Sequence, residues 1–167
     1  NSFNTLIDII EHDKEHAVDY VENLSAFFRN IVTYKDKETI KLSEEIKIAK
    51  AFYFIQQKRF GSNLQLLIDE HSLYDEKYVV PMVLQLLLEN AIKHNEISKE
   101  KNLEVHVAFT NDRIIISNNT NPKVSKDEST GTGLRNIIAR YRLLTDKTVQ
   151  IESSQDYFVV SLPLINH

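Results

Sequence analysis

One apolar segment of the chain carries side chains that could bind a metal–phosphate ligand. It covers residues 86–95 and reads LLLENAIKHN. In a helix, Asn90, Lys93 and His94 lie on one face because they are spaced i, i+3 and i+4. An amide oxygen is a hard ligand suited to Mg²⁺, and a lysine beside it suits phosphate. The alternative is structural, since Glu89 and Lys93 have the i, i+4 spacing of a simple helix ion pair.

Two further segments have the composition of ligand-binding loops. Residues 129–134 read STGTGL and open a helical pattern, so free backbone N–H groups there could bind an anion. A flexible hinge leading into a helix cap is the alternative. Residues 114–122 read IIISNNTNP, and the adjacent amides of Asn118 and Asn119 could recognise the edge of a base. Because asparagine is common in turns, a plain turn is the alternative here.

The composition excludes several other kinds of chemistry. The chain has 167 residues, three glycines, no cysteine and a formal net charge of −4. A disulfide framework, a thiolate metal site and a cysteine nucleophile are therefore excluded. The absence of a long basic run argues against a nucleic-acid surface, and no apolar stretch is long enough to span a bilayer. Two of the three glycines, Gly131 and Gly133, lie in one tripeptide, which marks that tripeptide in a chain that otherwise favours regular structure.

The first part of the chain is predicted to form a helical hairpin. A polar break at residues 11–14 separates a short apolar segment at residues 3–10 from a longer amphipathic helix. Two apolar rows run along that helix: Ala17, Val21, Leu24, Phe28 and Ile31 in a heptad pattern, and Tyr20, Phe27 and Tyr34 beside it. We expect the hairpin to dimerise into a four-helix bundle, which would cover its apolar surface. The alternative is a hairpin folded onto its own domain.

The rest of the chain is predicted to be an α+β domain that follows a charged linker at residues 34–39. One helix should begin at Ser43 and end at Gly61, and another should carry Pro81 in its first turn and cover residues 81–95. A third helix is expected at residues 131–144, and strands are expected at residues 64–69, 103–109, 113–117, 148–152 and 157–162. This order predicts a two-layer sandwich, a mixed sheet with helices on one face.

Taken in order, these segments resemble the Bergerat-fold (GHKL) ATPases, the superfamily of histidine kinases, gyrase, Hsp90-type chaperones and MutL-type repair proteins. Residues 86–95 resemble the N box, and residues 129–134 resemble the second glycine box. More specifically, the chain is similar over essentially its whole length to the LytS-type sensor histidine kinases. Shorter matches to that family lie at residues 1–6, 57–61, 80–81, 133–137 and 140–141.

The resemblance implies a site for ATP and Mg²⁺ on the N box. Asn90 would coordinate the Mg²⁺ that bridges the ATP phosphates, and Lys93 and His94 would lie along those phosphates. Glu89 would be the catalytic residue, either as a general base or by activating the accepting histidine.

The resemblance also implies roles for the two loops. Backbone amides at the second glycine box would cradle phosphate, at Gly131, Thr132, Gly133 and Leu134. Residues 119–130 would form the ATP lid, with Asn119 at its start and on the nucleotide. Asn118 stands where the superfamily has an aspartate that binds the adenine amino group. A neutral amide accepts that hydrogen bond about 1 kcal/mol less strongly than a carboxylate does.

By the same resemblance, the chain would be the cytoplasmic kinase part of a two-component sensor histidine kinase that is anchored in the inner membrane upstream. Residues 1–38 would be a partial dimerisation hairpin, and residues 39–167 the ATP-binding catalytic domain. The phosphoacceptor histidine is expected upstream of Asn1, and a response regulator would receive the phosphoryl group. One alternative is a dimerising scaffold of the same fold that binds ATP poorly and signals by contact. Another is an ATPase of the repair or chaperone branch.

Overall fold

The computed structural model describes residues 2–12, 14–69, 76–123 and 132–166. Within these ranges the α-helices are α1 Ser2–His12, α2 Lys14–Tyr34, α3 Leu42–Phe60, α4 Val83–His94 and α5 Thr132–Leu144. The strands are β1 Ile40–Lys41, β2 Leu64–Ile68, β3 Tyr78–Val79, β4 Leu103–Phe109, β5 Arg113–Asn119, β6 Gln150–Ser153 and β7 Tyr157–Pro163. None of the helices in the described ranges is both long and apolar enough to cross a membrane.

A mixed sheet forms the centre of the molecule. Its strand order is β2-β4-β5-β7-β6, with β2 parallel to β4 and all other neighbours antiparallel. The short strands β1 and β3 pair separately as an antiparallel ribbon. The predicted α+β class with a mixed sheet is therefore confirmed, while the β1–β3 ribbon was not predicted because each strand has only two residues.

One face of the sheet is buried beneath helices. On β4 the side chains of Leu103, Val105 and Val107 are buried, whereas Glu104 and His106 between them are exposed. This alternation follows from the two-residue period of a strand, which sends successive side chains to opposite faces. Helix α3 contacts β2, and α4 contacts β4 and β5, so the helices cover the apolar face.

Local sequence signals predict where α3 ends but not where α4 begins. Helix α3 ends as predicted at Gly61, whose φ of 57° lies in the left-handed region that glycine tolerates and whose N–H donates to the Gln57 carbonyl. Helix α4 begins at Val83, two residues later than predicted, because Pro81 lies in a turn and Met82 has a φ of 63°. A positive φ at a residue with a side chain needs support from outside the turn, and this support is described below.

The hairpin lies partly against the rest of its own chain. Tyr20, Leu24 and Phe27 are buried and belong to the main hydrophobic core, and the ring of Phe27 lies 5.6 Å from that of Phe52 on α3. The predicted heptad row is divided between two environments. Its members Ala17 and Leu24 are buried, whereas Val21 and Phe28 are 42% and 51% exposed. The alternative of a hairpin folded onto its own domain therefore describes one face of α2, and a second apolar face remains exposed.

Candidate functional site

A cavity of about 380 Å³ opens between α4, the end of β5 and the start of α5. The predicted site residues that line it are Asn90, Lys93, His94, Asn118, Thr132, Gly133 and Leu134. The structure therefore brings together three separate segments of the sequence, which contain Asn90, Asn118 and Gly133. The remaining lining residues were not predicted as ligands: Ala91, Asn95, Thr120, Pro122, Ser153 and Phe158. Of the other predicted site residues, Gly131 lies outside the described residues, and Glu89 and Asn119 do not line the cavity.

Helix α4 presents an apolar side to the core and a polar side to the cavity. Val83, Leu84, Leu87, Leu88 and Ala91 are buried on the core side. Asn90 is half-buried at the cavity wall, and Lys93 and His94 are exposed at its edge. The described ion pairs do not include one between Glu89 and Lys93, so the structural alternative for these residues is not supported by a contact. Glu89, which precedes Asn90 in the chain, is exposed.

The end of α4 is fastened to the segment that leads into the long polar loop. Asn95 is buried; its Nδ2 donates to the Ala91 carbonyl at 2.8 Å, and its Oδ1 accepts from the Asn121 backbone N–H at 2.6 Å. Lys123 donates from its backbone to the His94 carbonyl and from Nζ to the Lys93 carbonyl. Sequence reasoning did not assign Asn95 a role. The signal in the sequence is that Asn95 is the polar residue at the end of a helix whose other side is apolar.

The two adjacent asparagines of β5 point to opposite sides of the sheet. Asn118 is 8% exposed and lines the cavity, and its Nδ2 donates to the Asn119 carbonyl at 2.6 Å, so Oδ1 is the end of the amide that can accept from a ligand. Asn119 uses its side chain on the neighbouring strand, where it accepts from the Glu104 N–H and donates to the Asn102 carbonyl. Because side chains alternate along a strand, only one of two adjacent residues can face the cavity.

The start of α5 lies close against α4. A Cβ built on Gly133 would lie 3.2 Å from both terminal methyl groups of Leu86, closer than an ordinary van der Waals contact. Glycine at this point therefore lets the two helices approach. Thr132, Gly133 and Leu134 form the first turn of α5 and line the cavity. The first N–H groups of a helix have no partner within the helix and attract anions such as phosphate.

The cavity suits a metal ion that takes most of its ligands from a bound phosphate and from water rather than from the protein. Among the described residues, no cluster of three or more His, Cys, Asp or Glu could hold a metal ion by itself. Asn90 offers one amide oxygen, and Mg²⁺ is commonly held by one or two protein oxygens together with phosphates and waters. The cationic Lys93 beside Asn90 and the helix start of α5 opposite favour an anionic ligand.

Comparison with known proteins shows a similarity to histidine kinases in sequence and in fold. Residues 1–64 match the histidine kinase family. Two solved histidine kinase structures have a similar fold at low sequence identity. The Acinetobacter baumannii histidine kinase AdeS gives a TM-score of 0.50 at 15% identity over 99% of this chain and 92% of that chain. The cytoplasmic segment of histidine kinase QseC gives a TM-score of 0.52 at 16% identity over 93% of this chain and 97% of that chain. The predicted two-layer fold is thus confirmed.

A curated protein shows a more specific sequence similarity. The chain is 27% identical over 170 aligned residues to the sensor histidine kinase/phosphatase LytS of Staphylococcus aureus (strain Mu50), and the alignment covers 91% of this chain. The chain spans 29% of the length of that relative. The predicted resemblance to the LytS-type sensor histidine kinases is confirmed by these similarities.

Proposed function

We propose that this chain is the kinase part of a two-component sensor histidine kinase, which binds ATP with Mg²⁺ in the cavity between α4 and α5. The observation that carries the proposal is the convergence of three distant segments on one cavity. The polar face of α4, the buried amide of Asn118 and the first turn of α5 all line it. The match of residues 1–64 to histidine kinases and the similarity to LytS support the same activity.

Each cavity residue has a chemical task in this proposal. The Asn90 amide oxygen would bind Mg²⁺, while Lys93 and His94 would neutralise phosphate charge from the edge of the cavity. The backbone N–H groups of Thr132 and Gly133 would donate to phosphate oxygens. Asn118 Oδ1 would accept a hydrogen bond from the adenine amino group. Asn119 would act indirectly, because its side chain holds β5 to β4 rather than facing the cavity.

The reaction would pass the γ-phosphoryl group of ATP to a histidine upstream of this chain. A nitrogen–phosphorus bond forms on the imidazole as the bond between the γ-phosphorus and the bridging oxygen breaks, and ADP leaves. Glu89 is exposed and adjoins Asn90 in the chain, and it would accept the imidazole proton from an incoming histidine. The chain's contribution is chiefly to position the groups and to neutralise charge. A response regulator would then receive the phosphoryl group.

The domain organisation belongs to the same proposal. Residues 1–38 would be the dimerisation hairpin and residues 39–167 the catalytic domain of a cytoplasmic segment. The apolar face that the hairpin leaves exposed supports dimerisation, and it consists of Ile7, Ile10, Val18, Val21, Phe28 and Val32.

Calorimetric titration with ATP, in the presence and absence of Mg²⁺, tests the proposal. We expect saturable binding that requires Mg²⁺ and that Asn90→Ala weakens by roughly tenfold or more, since it removes a ligand to the cation. Asn111→Ala is the matched control, because Asn111 lies exposed in the β4–β5 turn and does not line the cavity. Unchanged binding by Asn90→Ala would refute the Mg²⁺ assignment.

The scaffold alternative has a distinct outcome in the same experiment. Its motivation is Asn118, a neutral amide at the position where the superfamily has an aspartate. If the wild-type chain shows neither calorimetric binding nor a thermal shift at millimolar ATP with Mg²⁺, the scaffold is favoured over the kinase.

A further inference from the structure

A buried carboxylate on α3 caps the start of α4. Glu45 has 0% exposure, yet it carries an ionisable group. Its Oε2 accepts the Met82 backbone N–H at 2.7 Å, and its Oε1 accepts the Leu84 backbone N–H at 2.8 Å. A buried carboxylate without partners would be strongly unfavourable, and both oxygens here have donors.

Helix α4 needs this partner because its own sequence supplies none. Met82 at the N-cap makes no side-chain capping hydrogen bond, and the first turn of α4 contains no acidic residue. The N-terminal N–H groups of a helix must be satisfied if they are buried. Glu45 satisfies two of them from a different helix, and it also holds Met82, which has a φ of 63°. The carboxylate therefore fixes both the first turn of α4 and the strained residue before it.

Helix α5 also faces this carboxylate. Arg140 and Tyr141 both interact electrostatically with Glu45. Tyr141 is 1% exposed, and Arg140 donates from Nη2 to the Lys37 carbonyl at 2.9 Å. Glu45 thus lies where α3 meets α4 and α5, which are the two helices that form the walls of the cavity.

We propose that Glu45 is a positioning residue for the nucleotide: by capping α4 it holds Asn90, about 9 Å further along the helix axis, at the cavity wall. The expected effect on nucleotide affinity rests on the proposed function, whereas the effect of Glu45 on the position of α4 does not. A purely structural cap would lower stability without a specific effect on the helix at Asn90. The two cases therefore differ in the nucleotide affinity and the hydrogen exchange of a folded variant.

Glu45→Gln is the informative variant because it keeps the shape and removes one acceptor. The amide nitrogen of glutamine cannot accept from a backbone N–H, so one of the two capping bonds is lost. Phe27→Leu is the control for stability, since it loosens the α2–α3 contact with Phe52. Glu44→Gln is the control for chemistry, since the neighbouring Glu44 bonds Tyr34 and Lys47.

Two measurements are made at a temperature where every variant is folded by circular dichroism. Titration with Mg²⁺–ATP should show Glu45→Gln weakened by roughly fivefold or more, and both controls within about twofold of wild type. Hydrogen exchange should show lost protection from Leu84 through Asn90 in Glu45→Gln but not in Phe27→Leu.

A pH series separates positioning from general loss of stability. Burial raises the pKa of Glu45 to about 7 against the opposing hydrogen bonds from the α4 backbone and the charge of Arg140. The ionised form is the one that accepts from both N–H groups. Wild type should therefore bind Mg²⁺–ATP more tightly than Glu45→Gln by a larger factor at pH 8 than at pH 6. The nucleotide phosphates also titrate in this region, but they are common to both proteins.

The outcomes distinguish this inference from the proposed function. Absence of wild-type Mg²⁺–ATP binding would refute the proposed function, and hydrogen exchange would still decide the geometric part. Equal affinity of folded Glu45→Gln and wild type would overturn the inference. So would an exchange effect confined to the first turn of α4 in Glu45→Gln, or an equal effect in Phe27→Leu.

Discussion

Asn118 shows how a single hydrogen bond orients a buried amide. Its Nδ2 donates to the Asn119 carbonyl, so the donor end of the amide is engaged and Oδ1 is the end that can accept a hydrogen bond from a ligand in the cavity. An acceptor suits a base with an exocyclic amino group, such as adenine, and disfavours one that presents a carbonyl oxygen there. The preference would come from a neutral hydrogen bond, whose net contribution is about 1 kcal/mol.

We therefore predict that the wild-type chain binds ATP more tightly than inosine triphosphate by roughly fivefold, since inosine has a carbonyl oxygen in place of the amino group. Asn118→Ala should lower ATP affinity and reduce the preference to within about twofold. Paired calorimetric titrations with Mg²⁺ measure both effects, and Asn111→Ala should retain the preference. Equal wild-type affinities for the two nucleotides would contradict the assigned role of Asn118.

A second prediction at the residue scale concerns stability and pH. Burial raises the pKa of Glu45 from 4.5 to about 7, so the folded protein binds a proton between these values that the unfolded chain does not. The ionised carboxylate accepts both capping bonds, but its burial costs more free energy than these bonds return, which is why the pKa is raised. The contribution of Glu45 to the free energy of unfolding should therefore fall as pH rises through this window, by at most about 1.4 kcal/mol per pH unit. Urea unfolding at pH 5, 6, 7 and 8 should show that the wild-type advantage over Glu45→Gln is larger at pH 5 than at pH 8. A constant difference would argue against the raised pKa.

At the scale of elements, the cavity depends on how closely α5 approaches α4. Gly133 faces Leu86 at this contact, and an added Cβ would lie 3.2 Å from the Leu86 methyl groups. Leu86 is half-buried, so a methyl group at residue 133 could be accommodated by a small shift of Leu86. A branched side chain requires the helices themselves to move, because packed interiors have little free volume.

We therefore predict that Gly133→Val lowers the free energy of unfolding by about 1–3 kcal/mol and weakens Mg²⁺–ATP binding. Adding Leu86→Ala should restore part of both losses, since it removes the side chain that the valine meets. A double-mutant cycle on unfolding and on binding measures this coupling. Strictly additive effects would show that the two residues do not set the approach of the helices.

At the scale of the whole molecule, the hairpin has two apolar faces. One face packs against α3 through Tyr20, Leu24 and Phe27, and the other leaves Phe28 and its neighbours on α1 and α2 exposed. The exposed apolar residues on α2 follow one another at steps of three, seven and four, and they are Val18, Val21, Phe28 and Val32. This is the spacing of a helix that packs along another helix.

We predict a weak homodimer through this exposed face, seen as a concentration-dependent mass in sedimentation equilibrium. Phe28→Glu should shift the chain to monomer, because it places a charge in the apolar contact. Leu67→Glu is the matched control: Leu67 is 52% exposed, like Phe28 at 51%, but lies on β2 of the central sheet. A wild-type chain that remains monomeric at high concentration would contradict the dimer.

Much of the fold was predictable because its signals are local. The two-residue alternation of β4 predicted its buried and exposed faces. Gly61 predicted the end of α3, because glycine tolerates the positive φ that it adopts there. The start of α4 was not predictable, because the acceptor that caps it lies 37 residues away along the chain from Met82. The polar face of α4 was predictable because its signal is local: Asn90, Lys93 and His94 share a helix face, which their spacing indicates. Its likeness to an N box came from the resemblance to the family.

The sequence by itself determined most of the helices and strands and the polar face of α4, because these depend on residues close together in the chain. The order of its motifs along the chain carried the resemblance to sensor histidine kinases. Tertiary structure decided which candidates meet. It places Asn118 in the cavity and turns Asn119 to the neighbouring strand, and it buries one face of α2 against α3. It also brings Glu45 to the start of α4. These outcomes depend on packing between distant segments, where burial leaves each polar group only the partners that the fold supplies.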